Sequence, residues 1–345
     1  MTTPSNKRVR VAVDAMGGDY GPSEVVLGAA AAVRSNDVDV LLVGDEEQLK
    51  AELAKVGSEE KAHLLPVPSQ GVVQEGESPV QALRQMPRSS IAVCGGLVQA
   101  GKADAFVSMG STGATVAVGM FMLGALEGME RPVIGGPFLG LAPNTILVDI
   151  GSNVDTRPSQ MVQFAALGTA FSRTLLGIAN PRVALLSVGA EEGKGNRQTK
   201  EAYALFKDSG LNFVGNVEGH DLLLPTPKAE VVICDGFVGN IVLKLAEGAG
   251  HALAMYVDKK LAAILPENVR KSVAAEVQGL FDVSNRFGGA PLLGVKGVAI
   301  VGHGRARAAT VERAIATAQR CVQTNFVQHM QEELSKLSVR TKNSA

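Results

Sequence analysis

The sequence predicts an α/β fold in which a largely parallel sheet carries helices on both faces. Of its 345 residues, 46% are hydrophobic, only 4% are aromatic, and none is Trp. A core built mainly from Ala, Val, Leu and Ile suits parallel strands packed closely against helices. Short apolar segments typical of strands alternate with helical segments throughout the chain, as they do in α/β proteins. The length favours two lobes or one enlarged α/β unit.

The N-terminal third alternates strands with short helices. Strands are predicted at 8–15, 38–44, 63–67 and 105–108, and helices after Pro22 and Asp45 and at 80–85 and 89–98. Proline suits the first turn of a helix, and aspartate is a good N-cap. Between Asp104 and Glu127 no residue is charged, but the continuously apolar part is too short to cross a bilayer. We expect a strand, a polar loop and a buried helix there.

The remaining elements continue the alternation. Strands are predicted at 133–137, 145–150, 183–188, 213–215, 231–234 and 298–301, and helices at 158–176, at 198–208, in much of 241–280 and after 302–305. The segment with Gly288, Gly289 and Pro291 is predicted to be a loop. We expect one functional unit over 8–330, with flexible tails at 1–7 and 336–345. If the unit has two lobes, the chain passes between them more than once, and the active-site cleft lies between them.

Charge and cysteine usage argue against several classes of protein. The formal net charge of −1 argues against non-specific nucleic-acid binding, which needs a basic excess. Cys94, Cys234 and Cys321 lie in apolar segments without metal-type spacing, which indicates a reducing compartment rather than a disulfide framework. Residues 1–7 lack the apolar segment of a signal peptide. We therefore expect a cytoplasmic protein.

Several common catalytic signatures are missing. No G-x-G-x-x-G opens a helix, and the chain has neither a Walker loop nor a G-x-S-x-G elbow. No histidine pair has metal-ligand spacing on a helix. His220 and His303 lie in predicted loops and are candidate catalytic groups, although a loop histidine more often serves the structure. Asp14, Asp149 and Asp235 could hold a divalent cation between them, but as caps at strand ends they need none.

Five predicted strand ends carry glycines and small polar residues. They are Asp14 with Gly17 and Gly18, Ser108 with Ser111, Thr112 and Gly113, Asp149 with Asn153, Gly189 with Lys194 and Asn196, and Asp235 with Asn240. One such strand end would mean little, since Gly, Asn and Asp are the usual turn residues. Ligands of open α/β sheets bind beyond the carboxyl ends of the strands. We therefore expect these groups to line one anion-binding cleft.

The loop around Lys194 is the strongest single candidate for an anion site. It carries Glu191 and Glu192, and Lys194 stands between Gly193 and Gly195. Backbone N–H groups at the start of the next helix favour an anion, and flanking glycines let the backbone and the ammonium approach a phosphate. Taken alone, the loop is equally consistent with an ordinary turn that carries a solvated lysine.

In these segments the chain resembles acyl-carrier-protein:phosphate acyltransferases. The matching blocks are 14–19, 108–113, 191–196, 215–219, 234–240, 288–294 and 303–304; they follow the family's order and cover about residues 8–325. Two departures are local. Ser111 stands where the family usually has Asn, and Arg197 stands where an acidic residue is common.

The resemblance implies a two-domain α/β homodimer, similar in fold to phosphotransacetylases and to isocitrate- and isopropylmalate-dehydrogenase-like proteins. It implies transfer of a long acyl group from acyl carrier protein to inorganic phosphate, giving acyl phosphate for phospholipid synthesis, with peripheral association with the membrane. Alternatives are a phosphotransacetylase-like enzyme that uses acyl-CoA, a decarboxylating dehydrogenase (whose dinucleotide signature is missing) and a non-catalytic membrane-surface scaffold.

This chemistry needs little acid–base help and neither metal nor cofactor. Phosphate is an anionic nucleophile near neutral pH, and a thiol of pKa about 8.5 can leave as thiolate. The site must instead position the anion and stabilise an oxyanion. We predict that Lys194 binds phosphate, with the glutamates orienting it, and that Asn240 donates to the phosphate or the oxyanion. The other predicted phosphate-site residues are Gly17, Gly18, Ser111, Thr112, Gly113, Asn153, Gly193, Gly195 and Asn196, supported by Asp14, Asp149, Asp235 and His303.

The segment 251–277 is a candidate surface for the acyl chain. Apolar residues recur there at helical spacing beside basic ones, namely Val257, Leu261, Ile264 and Leu265 beside Lys259, Lys260, Arg270 and Lys271. Such a stripe suits lipid or the acidic carrier protein. A core or dimer-interface helix with a solvated face is the alternative.

Overall fold

The computed structural model describes residues 8–281 and 287–343. The chain forms two compact units. The first comprises the described parts of Met1–Glu127 and Arg286–Val327, and the second those of Gly128–Asn285 and Gln328–Ala345. Each unit is therefore built from two separate stretches of chain. The predicted tail at 1–7 lies outside the described residues.

The described strands are short and mostly buried. They are β1 (Val9–Asp14), β2 (Val38–Gly44), β3 (Leu64–Pro68), β4 (Ala105–Ser108), β5 (Val133–Pro137), β6 (Ile146–Val148), β7 (Val183–Leu186), β8 (Phe213–Val217), β9 (Val231–Ile233), β10 (Ala290–Leu293) and β11 (Val298–Val301).

Helices follow most of the strands. They are α1 (Ser23–Ser35), α2 (Glu46–Leu53), α3 (Ser58–Lys61), α4 (Pro79–Gln85), α5 (Ser90–Gln99), α6 (Thr112–Val118), α7 (Pro158–Leu175), α8 (Arg197–Ser209), α9 (Gly236–Leu261), α10 (Glu267–Gly279), α11 (Ala308–Gln323) and α12 (Phe326–Asn343). A π-helical turn spans Gly119–Leu123 and a 3₁₀ turn spans Gly219–Leu223.

The sheet of the first unit has the strand order β3-β2-β1-β4-β11-β10. All neighbours in it are parallel except β10 and β11. The central strand β1 is almost wholly buried, as expected for a parallel strand covered on both faces. Helix α1 packs closely against α11, because Gly28 lies where a Cβ would come within 2.5 Å of the Val311 Cβ.

The sheet of the second unit has the order β5-β6-β9-β7-β8. Strands β6, β9, β7 and β8 are parallel, and β5 is antiparallel to β6. Helix α7 lies close to β9, since a Cβ on Gly168 would come within 2.6 Å of Val231 Cγ1. The order places β9 between β6 and β7, although it follows both in sequence.

The predicted fold class is confirmed, because parallel strands alternate with helices in both units. The loop predicted around Pro291 is wrong, since this residue is the second of β10 and pairs with Ile300. Proline is tolerated near the start of a strand, where its missing N–H is not needed. The tail predicted at 336–345 is helical as far as Asn343, and an ion pair between Glu333 and Lys336 supports that helix.

The uncharged stretch before Glu127 contains β4, the short helix α6 and the π-helical turn. The predicted sequence of strand, polar loop and buried helix is confirmed. No helix among the described residues combines the length and the hydropathy of a membrane span.

Candidate functional site

Three parallel strands of the second unit, β6, β9 and β7, lie side by side. The segments that follow them carry Asp149, Asp235 and Lys194, respectively. Neighbouring strands are about 4.8 Å apart, so the three segments leave the same edge of the sheet close together. Three of the five predicted strand ends therefore meet within one unit.

Asp149 is the first residue after β6, and its side chain holds the loop that follows. Its side chain is buried, and its Oδ1 accepts from the N–H groups of Gly151, Ser152 and Asn153, at 3.2, 2.8 and 3.2 Å, and from the Ser152 hydroxyl at 2.8 Å. Its Oδ2 is buried without a hydrogen-bond partner among the described residues. Burial raises the pKa of Asp149, and the hydrogen bonds from the loop oppose that rise. The backbone φ of 70° adds strain at the same residue.

The loop after β6 is joined to the start of α9. Asp235 caps the helix by accepting from the Val238 N–H at 2.8 Å, and the Gly236 N–H donates to the Asn153 carbonyl at 2.8 Å. The side-chain amide of Asn153 donates to the Pro132 carbonyl at 3.0 Å. Asn153 therefore braces this loop with both its backbone and its side chain.

Asn240 lies in the first turn and a half of α9, with its side chain exposed against Gly151. The close approach of α9 to the loop after β6 needs small residues, because a Cβ on Gly239 would overlap the Asp149 carbonyl oxygen. Helix α9 has 26 residues, and its first N–H groups carry the partial positive charge of a helix N-terminus. Asn240 is therefore placed to donate to an anion at this end of the helix.

The loop after β7 leads into the start of α8. The Asn196 Oδ1 caps that helix by accepting from the N–H and hydroxyl of Thr199 at 2.8 and 2.9 Å. The Asn196 Nδ2 is therefore the end of the side chain left for an anion. The Gln198 side chain donates to the Thr156 carbonyl, which ties the start of α8 to the loop after β6.

The two glycines beside Lys194 differ in what they do. Gly195 has a φ of 104°, and a Cβ there would come within 2.8 Å of the Thr199 Cβ, so this backbone requires glycine. Gly193 has no neighbouring atom within 4 Å of a Cβ position. The loop conformation therefore depends on Gly195 rather than on Gly193.

Lys194 is exposed, and its side-chain stem lies over Gly189. Its backbone N–H donates to the Glu191 carbonyl at 3.0 Å, which closes a turn. The prediction that both glutamates orient Lys194 is wrong for Glu192, whose carboxylate pairs with Lys207 at 3.2 Å. Among the described residues the Lys194 ammonium has no ion pair. It is therefore free to meet an incoming anion.

The first unit holds a second polar cluster, at the ends of the neighbouring strands β1 and β4. Asp14 is buried; its Oδ2 accepts from the Ser108 hydroxyl at 2.8 Å and its Oδ1 from the Met16 N–H at 3.2 Å. Burial raises its pKa against these hydrogen bonds. A Cβ on Gly17 would come within 2.7 Å of the Gly110 nitrogen. The cluster is closely packed.

The other predicted residues of the first unit lie around this cluster. Gly18 has a φ of 86°, and a Cβ there would come within 3.0 Å of the Gly304 carbonyl oxygen. Ser111 caps α6 by accepting from the Ala114 N–H at 3.3 Å. The exposed His303 ring accepts from the Arg305 N–H at 3.3 Å, which ties it to its own loop.

Thr112 and Gly113, which follow Ser111 in the first unit, differ in exposure. Thr112 is exposed at the start of α6, whereas Gly113 lies against the Pro79 ring.

His220 is exposed and lies 3.4 Å from the Asp221 carboxylate, in the 3₁₀ turn of the second unit. Within the described residues, no three His, Cys, Asp or Glu side chains are grouped so that they could hold a metal ion.

The structure thus shows two polar clusters, one in each unit. Sequence reasoning missed three contributors to the second. Gln198 bonds to the Thr156 carbonyl, the Asn216 Nδ2 donates to the Glu191 carbonyl at 2.9 Å, and the Ser187 Oγ lies 3.0 Å from where a Cβ on Gly195 would stand. The signal that marks Asn216 is an Asn directly after a glycine at a strand end, where a purely structural strand would carry an apolar residue.

The chain is similar to known proteins over most of its length. Residues 9–329 match the family model described as "Fatty acid synthesis protein". The chain is 44% identical over 326 residues to the phosphate acyltransferase of Desulforudis audaxviator, covering 92% of this chain and 94% of the relative. It is 41% identical over 329 residues to that of Aquifex aeolicus, with the same two coverages.

Solved structures show the same fold at low sequence identity. A phosphotransacetylase from Streptococcus pyogenes superposes with a TM-score of 0.63 at 17% identity, covering 92% of this chain and 95% of that one. The EutD phosphotransacetylase from Staphylococcus aureus gives 0.61 at 17% identity, with the same coverages. At this level of identity the likeness concerns the fold.

Proposed function

The chain belongs to the phosphate acyltransferase family, and on that premise we propose that it transfers a long-chain acyl group from acyl carrier protein to inorganic phosphate. The product is an acyl phosphate used in phospholipid synthesis. A phosphate oxygen attacks the thioester carbonyl carbon, the new C–O bond forms, and the C–S bond breaks. The carrier thiolate leaves and takes a proton from solvent. The observation that carries the proposal is that α8 and α9 begin at one edge of the second unit's sheet, with the exposed Lys194 in the loop just before α8.

Phosphate binding is assigned to Lys194 and to the start of α8. The exposed ammonium lies two residues before the cap Asn196, whose Nδ2 is not used in capping. The first N–H groups of α8 have no partner within the helix, and the helix dipole favours an anion beside them. The ammonium would also offset the negative charge that phosphate brings beside the developing oxyanion.

Oxyanion stabilisation is assigned to Asn240 and the start of α9. A tetrahedral intermediate needs donors aimed at the carbonyl oxygen. The Asn240 amide supplies them beside the positive end of the α9 dipole, whose Gly236 and Val238 N–H groups are already bonded within the loop and the cap. The nearby Asp149 side chain is enclosed by its own loop and faces four donor contacts. Asp235 is engaged in capping. The Oδ1 atoms of both carboxyl groups therefore face backbone donors, which reduces the repulsion of phosphate.

The remaining predicted residues keep supporting roles in this proposal. In the second unit, Gly195 shapes the Lys194 loop and Asn153 braces the loop after β6. In the first unit, Gly17, Gly18 and the segment 111–113 are proposed to contribute backbone donors to phosphate. Asp14 and His303 would hold that backbone in place. The reaction as proposed uses no metal ion or cofactor, because a thiolate is a sufficient leaving group.

The hairpin formed by α9 and α10 is proposed to contact the membrane. Residues that are 40% exposed or more include Leu253, Met255, Tyr256, Ile264 and Val269, and α10 has no buried residue. Lys259 and Lys260 lie in the last turn of α9. Apolar side chains beside lysines suit an anionic bilayer surface. We propose a cytoplasmic homodimer that binds the membrane peripherally through 251–277.

Membrane contact is tested by replacing Ile264, which is 73% exposed in the turn between α9 and α10, with Glu. A charge at a bilayer-facing position should lower co-sedimentation with anionic liposomes severalfold. Leu27→Glu is the matched control, because Leu27 is 47% exposed on a helix of the first unit. Equal binding by Ile264→Glu, Leu27→Glu and the unaltered protein would contradict membrane contact at this hairpin. Sedimentation equilibrium of the same samples reports whether the protein is a dimer.

The activity itself is tested by measuring free thiol released from long-chain acyl carrier protein. Release should require inorganic phosphate and should produce acyl phosphate in equal amount. Acetyl-CoA serves as the rival substrate. Faster phosphate-dependent turnover of acetyl-CoA would favour a phosphotransacetylase-like enzyme, and no phosphate-dependent release from either donor would reject the proposed function.

A further inference from the structure

Asn216 connects the end of β8 to the loop that carries Lys194. The residue is only 7% exposed, and its backbone pairs with Leu185 of β7. Its side-chain Nδ2 donates to the Glu191 carbonyl oxygen at 2.9 Å. The Lys194 N–H donates to that same oxygen at 3.0 Å. One carbonyl therefore receives both the hydrogen bond that closes the Lys194 turn and the one that anchors the turn to the sheet.

The oxygen of the Asn216 side-chain amide lowers the stability of the fold. The Asn216 Oδ1 is buried without a hydrogen-bond partner among the described residues, and so is the nearby Ser187 Oγ. A buried polar atom left without a partner destabilises a protein, and an apolar side chain of similar size avoids that loss. The partner strand carries such a side chain, Leu185, in register with Asn216. Stability of the sheet alone therefore does not account for an asparagine here, whereas the bond to Glu191 does.

We propose that Asn216 is a positioning residue for Lys194 in acyl transfer, an inference that rests on the proposed function. Lys194 is a long, flexible side chain whose stem lies over Gly189 and whose ammonium has no ion pair in the described structure. Its position therefore depends on the backbone of its turn. Anchoring the Glu191 carbonyl fixes that backbone, so less conformational freedom is lost when the ammonium binds phosphate. Asn216 does not touch the substrate in this scheme.

The first test replaces Asn216 with Ala, which removes the anchor, and with Asp, which keeps the size of the side chain but has no donor for the Glu191 carbonyl. Loss of one such hydrogen bond should raise the KM for phosphate about three- to tenfold. The KM for acyl carrier protein should stay unchanged, since the anchor acts only on the Lys194 turn. Amide hydrogen exchange in the peptide that spans 188–196 should become faster in both variants.

Asn212→Ala is the matched control. Asn212 directly precedes β8, and its Nδ2 donates to the Asn180 carbonyl at 3.2 Å, so it makes the same kind of bond at the other end of the strand. This variant should keep the phosphate KM and the exchange of 188–196 unchanged. If Asn212→Ala raises the phosphate KM as the Asn216 variants do, the rise comes from loss of strand stability. That result would overturn the proposal.

Two further results would overturn it. One is a folded Asn216→Asp protein with an unaltered phosphate KM and unaltered exchange of 188–196; the other is an equal rise of both KM values. Failure of the proposed function is a separate result, because the unaltered protein would then release no thiol with phosphate. Even then the exchange measurement reports whether Asn216 holds the Lys194 turn.

Discussion

The polar cluster at Asp14 in the first unit and the cluster at Asp149 in the second are alike in sequence but not in structure. Each centres on a buried aspartate at the end of a parallel strand, and burial raises the pKa of each carboxyl. Burial also raises the pKa of one thiol beside each aspartate, Cys94 near Asp14 and Cys234 near Asp149. The charge of the aspartate adds to that rise.

The difference lies in which groups remain without partners. Both carboxylate oxygens of Asp14 have donors, and Gly17 is in close contact with the backbone of the neighbouring loop. In the second cluster Lys194 and Asn240 are exposed, and the Lys194 ammonium has no ion pair in the described structure. The carboxyl group of the first cluster is therefore closed off by its own partners, whereas the second cluster leaves a side-chain amide and a cation open to a ligand. Similar strand ends thus form a closed cluster of side chains in one unit and an open cluster in the other.

The largest effect is expected from Lys194→Ala, which removes the exposed cation of the open cluster. Phosphate-dependent turnover should fall ~10²- to 10³-fold, the size of effect seen when a charge-stabilising donor is lost from an active site. Lys200→Ala is the control, because it removes an equal charge from an exposed position in the first turn of α8. Near-normal kinetics of Lys194→Ala at low phosphate would contradict the assigned role of the open cluster.

A second prediction contrasts two glycines. Gly17→Ala should lower the free energy of unfolding by about 1–3 kcal/mol, since the new Cβ would lie 2.7 Å from the Gly110 nitrogen of the closed cluster. Gly193→Ala, in the open cluster, should change it by less than ~0.5 kcal/mol, because nothing lies within 4 Å. Urea denaturation measures both values. Equal destabilisation by the two substitutions would show that the clusters do not differ in packing.

The smallest effect concerns the two buried carboxyls. A carboxyl with a raised pKa in the folded protein stabilises the fold below the ordinary aspartate pKa of about 3.9 and loses that stabilisation as pH rises through the raised value. Asp149→Asn stays neutral, so its unfolding free energy should fall less between pH 4 and pH 8 than that of the unaltered protein. The substitution keeps the Oδ1 contacts and places its NH₂ where Oδ2 had no partner.

Asp14→Asn provides the comparison for this pH effect. Its NH₂ would face the Ser108 hydroxyl that now donates to Asp14, so that hydroxyl would have to turn. Asp14→Asn should therefore be less stable than Asp149→Asn by about 1 kcal/mol. Urea titrations at pH 5 and pH 8 measure the difference, and identical behaviour of the two variants would remove the distinction between closed and open clusters.

Most of the fold was predictable from the sequence, since apolar runs, turn residues and helix caps are local signals. The Asp45 cap illustrates this, as its side chain accepts from the Gln48 N–H at 3.0 Å. The strand at Pro291 was missed because proline is a strong local signal for a break. The candidate site was only partly predictable. Lys194 and Asn240 were visible as a lysine between glycines and an asparagine at a helix start, whereas Asn216 acts through a carbonyl 25 residues away.

By itself the sequence determined the fold class, the strand ends that carry polar residues and the family to which those blocks belong. These properties depend on residue types and on short spacings, which act locally. Only the tertiary structure decided that β9 lies between β6 and β7, and that Ser108 satisfies Asp14 across 94 residues of sequence while Lys194 is left exposed, without an ion pair among the described residues. The physical reason is that strand order and hydrogen-bond pairing are settled by packing between distant segments, and this packing determines which polar groups remain available to a substrate.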